Sequence, residues 1–462
     1  MKAQNPKPAK NAKNTLSRRQ FLGATAATTA FTIVSPHVLG GNERTSPSEK
    51  VNLAFIGVGG QASANINELR DLGVNFVAFS DVDDERAAET YNEFPNVKRY
   101  RDFRIMLDKH DKDIDAVVVT VPDHNHAVAA MTAIKMGKHV YCEKPLTRTI
   151  HEAREIAKAT KKYGVATQMG NQGMAFEGNR LINEWIADGA IGNVHEVHAW
   201  SDRPTDRGNK PLYWAQGIER PTGTPPISST LDWDIWLGPA PRRPYHPAYV
   251  PFTWRGWWDF GSGGLGDMGI HNLAPVFSAL KLTTPTSVHS SSTVVYEETL
   301  PLASTVHYEF GARENMPPVT LHWYDGGIMP PRPKELEDER QLPRDDGVIF
   351  VGDKGKMLVT GWGGHSPRII PEEKMKAYKR PPKTLPRSIG HHAEWLKACK
   401  EGTKTRSSFD FAAPLTEALL LGTISVRMGG AKLYWDSKKM KITNLPEANN
   451  YLHYEYRKGW TL

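Results

Sequence analysis

Cysteine is almost missing from this chain: 462 residues hold two, Cys142 and Cys399. Two thiols exclude a disulfide framework and a cysteine-rich zinc site, and two buried free thiols are the expectation. Long apolar runs are missing too. Outside the N-terminus no stretch of about 18 or more apolar residues occurs, which argues against an internal membrane-spanning helix. Acid is absent from the first 20 residues, which hold Lys2, Lys7, Lys10, Lys13, Arg18 and Arg19. Those six cations account for most of the formal net charge of +7. The rest of the chain is nearly neutral, so a nucleic-acid partner has no electrostatic support.

What is present begins with a leader pattern. Ser17-Arg18-Arg19-Gln20-Phe21-Leu22 precedes a modestly apolar run, Gly23 to Val34, rich in Ala and Thr. A basic segment before such a run has the layout of an export signal. The paired arginines followed by Phe-Leu resemble the twin-arginine type. Either cleavage falls between Ser35 and Ser48 or the leader is retained, and a periplasmic or otherwise exported location follows. Export of an already folded chain implies a cofactor carried along, held tightly and regenerated in place.

The length argues for two domains after this leader. The expected division is leader and linker 1–48, a first domain 49–170, and a second domain 171–462. The first domain alternates β-rich runs with helical stretches, which argues for a doubly wound parallel sheet. Val51–Ile56 reads as a buried strand, and Gly57-Val-Gly59-Gly-Gln61-Ala62 follows at once. Gly57 permits the tight turn, Gly59 a close backbone approach to a pyrophosphate, and Ala62 close packing of helix on strand. The helix start offers unpaired amide donors to the phosphates. Phe76–Ser80 reads as the second strand and ends in Asp81, whose carboxylate suits two ribose hydroxyls and repels a 2′-phosphate. NAD is therefore favoured over NADP.

Val121-Pro122-Asp123-His124-Asn125-His126 opens a helical stretch, and Gly137-Lys138-His139-Val140-Tyr141-Cys142-Glu143-Lys144-Pro145-Leu146 follows it. Here the chain resembles the Gfo/Idh/MocA oxidoreductases, in a Pro-x-x-x-His turn, a Gly-Lys-His-Val strand entry and a Glu-Lys-Pro strand end. The resemblance implies that Lys144 lies beside nicotinamide and substrate hydroxyl, that Glu143 supports the cofactor site, and that a cis bond precedes Pro145. A lysine at the C-terminal end of a parallel strand points into the ligand crevice in any case. Pro122 and His126 are assigned to the cofactor side. His124 and His126 alternate on a turn without Cys or carboxylate partners, a weak metal pattern, and no metal is assigned.

In the second domain, Gln168-Met-Gly-Asn171-Gln172-Gly173 places amides on a small-residue turn, and Asn171 is assigned to the cofactor. Arg180 stands near the place of a basic segment found in the resembled family. An irregular stretch near 201–260 is rich in Pro, Arg and Trp; its tryptophans either stack on sugar faces or pack the loop itself. Arg242, Arg243 and Arg255 are candidates for an acidic sugar group. Gly261 to His271 is a glycine-rich entry to a helix, with Asp267 and His271 four apart and so on one face. It resembles the Asp-x-x-x-His segment of the same family, implying a proton-transfer set of Lys144, Asp267 and His271. His271 is the acid/base candidate because an unperturbed imidazole titrates near neutrality. Several β-rich segments lie between Thr286 and Leu358, and the resemblance implies that they form an open, mostly antiparallel sheet. In the resembled family that sheet's exposed face makes dimers, so a homodimer or homotetramer is expected. His391–Lys400 and Pro414–Arg427 read as helices.

Three readings remain open. One is an NAD-dependent oxidoreductase acting on a secondary hydroxyl of a sugar, cyclitol or glycoside. Another is a glycosidase that uses and returns NAD in each turnover, with His195 or His198 as the further base it needs. The last is a non-catalytic sugar-binding protein on the same fold.

Overall fold

Two sheets organise the chain in the computed structural model, which describes residues 50–205 and 212–462. The leader, and with it the export and cleavage readings, lies outside the described residues. Residues 51–462 form one compact unit.

The first sheet is built from β1 (Asn52–Ile56), α1 (Gln61–Asp71), β2 (Asn75–Ser80), α2 (Ala88–Glu93), β3 (Lys98–Tyr100), α3 (Phe103–Lys109), β4 (Ala116–Val119), α4 (Asp123–Lys135), β5 (His139–Cys142), α5 (Ile150–Tyr163) and β6 (Thr167–Met169). Its order is β3-β2-β1-β4-β5-β6, with every pair parallel. This is the dinucleotide-binding order, and its reversal between β1 and β4 opens a crevice at the strands' carboxyl ends. β1 and β4 are apolar almost throughout because helices cover both faces of a parallel sheet. Leu53, Phe55, Ala116 and Val118 fall in one buried cluster; Ala54, Ile56, Val117 and Val119 fall in the other.

The chain continues with α6 (Glu177–Ala187), β7 (Val194–Ser201), a short α7 (Trp233–Leu237) and α8 (Ile270–Ala279). It then adds β8 (Ser287–Ser292), β9 (Ser304–Phe310), β10 (Val319–Tyr324), β11 (Asp346–Gly352), β12 (Lys356–Thr360) and β13 (Ser366–Ile370). It closes with α9 (Glu372–Ala377), α10 (His391–Glu401), α11 (Phe409–Arg427), β14 (Leu433–Asp436) and β15 (Lys441–Ile442). The second sheet has nine strands in the order β13-β12-β11-β7-β10-β9-β8-β14-β15. It is open, and antiparallel except for the β7–β10 pair. Period-two alternation explains its two faces. On β9, Val306, Tyr308 and Phe310 are buried, while Thr305, His307 and Glu309 are half-exposed.

Helix α11 is the one described helix long and apolar enough to cross a membrane; 83% of its apolar window is buried inside this unit, where it packs on α5 and β8. Helix α10 turns back to the first sheet, and its Trp395 and Leu396 join the cluster beneath β1 and β2. Packing therefore crosses the 170/171 division that composition suggests. Cys142 is buried and Cys399 partly so, and both are free thiols.

Candidate active site

One cavity of about 1030 Å³ lies at the carboxyl ends of the first sheet and runs on to the glycine-rich segment before α8. Its two walls come from distant parts of the chain.

The first wall is backbone at strand ends. Gly57 turns with φ +85°, and a Cβ there would sit 2.9 Å from the Thr120 carbonyl oxygen, so only glycine fits. Helix α1 starts without a side-chain cap and without acid in its first turn, leaving amide donors turned toward the cavity. Asp81, just past β2, lines the same space. Its Oδ2 accepts from Val58 N at 2.8 Å and Gly59 N at 3.2 Å, and its Oδ1 from Asp83 N at 3.0 Å. Burial pushes this carboxyl up, against those three donors. An uncapped helix start, a glycine turn and a carboxylate at the end of β2 fit a dinucleotide with a free 2′-hydroxyl. Gln61 lines the cavity, whereas Ala62 is fully buried, where its small side chain lets α1 pack on the sheet.

Past β5, Glu143 and Lys144 enter the cavity, and the Lys144–Pro145 bond is cis. Glu143 Oε1 accepts from Asn65 at 2.9 Å and Gln172 at 3.4 Å; burial pushes its carboxyl up. A Cβ at Gly170 would meet that carboxylate at 2.6 Å. Pro122 and His126 also line the cavity. Yet both ring nitrogens of His126 face backbone carbonyls, Pro145 at 2.8 Å and Val121 at 2.8 Å. His126 thus braces two strand-end loops together and presents only a ring face to a ligand. His124 Nε2 lies against the Trp236 carbonyl at 2.9 Å.

The second wall is made of charged side chains. Residues Leu265–Gly269 form a π-helical turn that runs into α8, so Asp267 sits in the wide turn and His271 in the following α-helix. Such turns recur at functional sites because the bulge re-aims side chains. Lys144 Nζ donates to Asp267 Oδ1 at 2.7 Å and to the Asp267 carbonyl at 2.8 Å. Arg255 Nε donates to the same Oδ1 at 3.3 Å, with its guanidinium over Trp254 and Phe252. Burial alone would raise Asp267, but the charges of Lys144 and Arg255 outweigh it and hold the carboxyl far below its usual range. The three residues expected to act together thus share one cavity. His271 makes no hydrogen bond through its buried Nδ1, and its ring meets Trp362 edge-on at 5.1 Å.

The charge state of His271 departs from the expectation. Burial, then the neighbouring Lys144 charge, push it down to about 3, so the imidazole is neutral at physiological pH. The cavity group poised nearest neutrality is Asp123, the first residue of α4. It is 4% exposed, and burial raises it to about 7 despite Arg255 and Lys144. Asp123, Arg255 and Gln172 all line the cavity. The position of Asp123 directly after Pro122, at the end of an inner strand, is the local signal that could have singled it out.

Other assignments move away from the site. Asn171 is not among the residues lining the cavity; it is buried, and its Oδ1 accepts from Ser407 Oγ. Arg180 is buried under Glu394 and the Met174 carbonyl, outside the cavity. Arg243 is held by Asp259 and Glu298, and Arg242 lies exposed near Asp234. His195 and His198 lie on β7 and do not reach the cavity. All seven tryptophans from Trp200 to Trp258 are buried, and Trp233, Trp236, Trp254 and Trp257 form a core of their own with Tyr249 and Phe260.

Residues 51–171 match the model of an oxidoreductase family's NAD-binding Rossmann fold, and residues 208–311 match its C-terminal alpha/beta domain. Levoglucosan dehydrogenase of Pseudarthrobacter phenanthrenivorans is 33% identical over 135 residues, 28% of this chain and 33% of that protein. Inositol 2-dehydrogenase of Salmonella typhimurium is 29% identical over 148 residues, 31% of this chain and 44% of that protein. The chain thus spans less than half the length of these curated relatives. Among solved structures, the WlbA dehydrogenase from Bordetella pertussis in complex with NADH and UDP-GlcNAcA has a TM-score of 0.59 at 14% identity, covering 84% of this chain and 99% of that one. Levoglucosan dehydrogenase in complex with NADH and levoglucosan has a TM-score of 0.54 at 17% identity, covering 83% and 99%. At such identities the likeness establishes the fold.

Proposed function

We propose that the chain, whose residues 51–171 and 208–311 match models of the Gfo/Idh/MocA oxidoreductase family, is an NAD-dependent oxidoreductase acting on a secondary hydroxyl of a sugar, cyclitol or glycoside. The observation that carries this reading is the Lys144–Asp267 pair, set at 2.7 Å in the crevice of a dinucleotide-binding sheet. Gly57, Gly59, Gln61, Asp81, Pro122 and Glu143 would hold the cofactor, which when bound supplies the carbon that takes up the substrate's hydride.

This chain's residues do the rest. An ammonium has three donors, and Lys144 spends two on Asp267. The third is left for a substrate oxygen, where the positive charge stabilises the alkoxide that forms as the hydroxyl loses its proton. Asp267, ionised throughout, fixes the direction of that ammonium. His271 is neutral and accepts a hydrogen bond from the same hydroxyl. Asp123 supplies the proton affinity matched to neutral pH. The leader pattern supports an exported, periplasmic protein with tightly held, recycled NAD, and the half-exposed outer face of the nine-stranded sheet supports a homodimer or homotetramer.

The second reading, a redox-cycling glycosidase, gains support from Asp123. Once a ring hydroxyl is a ketone, the adjacent C–H is acidic, and elimination needs a base inside the cavity; Asp123 is available there, while His195 and His198 are not. One experiment separates the two. The protein is purified without added cofactor and its reduced-nicotinamide absorbance is followed as free sugars and aryl glycosides are offered. A change of that band with a free sugar supports the dehydrogenase. Aglycone release with no net change supports the glycosidase, and neither response overturns both.

A further inference from the structure

The outer face of the nine-stranded sheet carries a feature the cavity does not use. His198, His322, His307 and His289 lie on β7, β10, β9 and β8, four adjacent strands. They are direct cross-strand partners: His322 opposite His198, His322 opposite His307, and His289 opposite His307. One rung of the sheet is therefore four imidazoles wide. None of the four lines the cavity. Glu196, two residues before His198, lies on the same face, because side chains two apart on a strand share a face.

From this rung we infer that Glu196, His198 and His322 form a binding site for a divalent cation of the zinc type. Their donor atoms lie within 4.8 Å of one another. Glu196 Oε1 is 3.3 Å from His198 Nε2 and 3.1 Å from His322 Nε2. A tetrahedral zinc ion with bonds of about 2.0–2.1 Å has ligand-to-ligand edges of about 3.3 Å, and the two carboxylate–imidazole separations match that edge. Two imidazoles and one carboxylate select zinc and its late first-row neighbours over calcium or magnesium. Three protein ligands leave a fourth position for water or an outside group.

The second layer is also in place. Ligating histidines commonly donate their other ring nitrogen to a partner, which fixes the tautomer. His198 Nδ1 has Tyr324 OH at 3.0 Å, and His322 Nδ1 has His307 Nδ1 at 2.5 Å. If each donates through Nδ1, both Nε2 lone pairs point at the space beside Glu196. The ion would tie β7 to β10, the one parallel pair of the sheet.

The test uses the full chain, purified without a histidine tag and stripped with a chelator. Zinc is added in equilibrium dialysis with metal analysis, and cobalt(II) as a coloured substitute. The expected result is one zinc per chain, a raised thermal midpoint, and the strong visible bands of tetrahedral cobalt. Glu196→Gln and His322→Gln, both on the half-exposed face, should each lose the bands, and Tyr324→Phe should weaken zinc about 10-fold. Dinucleotide-dependent activity should stay within about twofold in all three, since none of these residues lines the cavity. No zinc retained by the parent, or equal retention by Glu196→Gln and His322→Gln, overturns the site and leaves a hydrogen-bonded rung only.

Discussion

The two walls of the cavity differ in kind. The wall from the first sheet is backbone at strand ends, with carboxylates tied to neighbouring amides: Asp81 to Val58 and Gly59, Glu143 to Asn65. The other wall is a chain of charges, running from Lys144 past β5 to Asp267 and Arg255 of the second half, under aromatic rings. Backbone geometry binds a constant partner, because amide donors at a helix start do not depend on the side chains around them. A charge chain is adjustable, because each member's state depends on the next. One wall is thus suited to a fixed cofactor and the other to chemistry and substrate choice.

That contrast breaks if the charged wall proves dispensable. Lys144→Ala should lower kcat about 1000-fold, the upper end for removing one preorganised donor to a developing oxyanion, while cofactor affinity measured by fluorescence changes little. Intact turnover in this variant would remove the chemical role from this wall. The next largest effect concerns the aromatics behind it. Trp257 is fully buried in the tryptophan core. Trp257→Ala should cost about 3–5 kcal/mol in denaturant unfolding. A stable variant with altered sugar preference would show that this core contacts substrate. On the first wall, Asp81→Ala should weaken NAD about 10-fold, as loss of one charge-assisted pair of hydrogen bonds implies, and narrow the preference over NADP. An unchanged NAD affinity would detach Asp81 from the ribose.

The same contrast explains what could be read before the fold was known. Gly57, Gly59 and Asp81 are legible because a strand, a turn and a helix start lie within about 30 consecutive residues, so spacing alone reports their geometry. Lys144, Asp267 and His271 are legible as short patterns, though their meeting joins positions 123 residues apart. Charge states were not legible. The reading of His271 as a group titrating near neutrality assumed an exposed imidazole, and burial beside Lys144 reverses it. Asn171 looked like a ligand contact until Ser407, 236 residues away, accounted for its carbonyl. The zinc-type rung escaped for the same reason: its histidines are single residues on four strands, and only sheet register places them together.

Asp123 gives the finest test, because it stands on the backbone wall but belongs electrostatically to the charged one. Burial raises its carboxyl to about 7, against the pull of Arg255 and Lys144. In the unfolded chain an aspartate titrates at about 3.9. Below that value both states are protonated and the stability contribution is fully present. Between there and about 7 the unfolded state ionises while the folded state does not, so stability falls as pH rises, and it levels off above 7. Asp123→Asn cannot ionise in either state. Relative to the parent, the variant should therefore gain thermal stability progressively from about pH 4 to pH 7, measured without cofactor, and gain no more above. Its activity should lose the limb that rises through about pH 7 in the direction of hydroxyl oxidation, because no carboxylate forms there to take the proton. If the stability difference is flat across that range, Asp123 is not the buried acid that couples the two walls; if the limb persists while the stability difference follows the expected course, the limb belongs to a group other than Asp123.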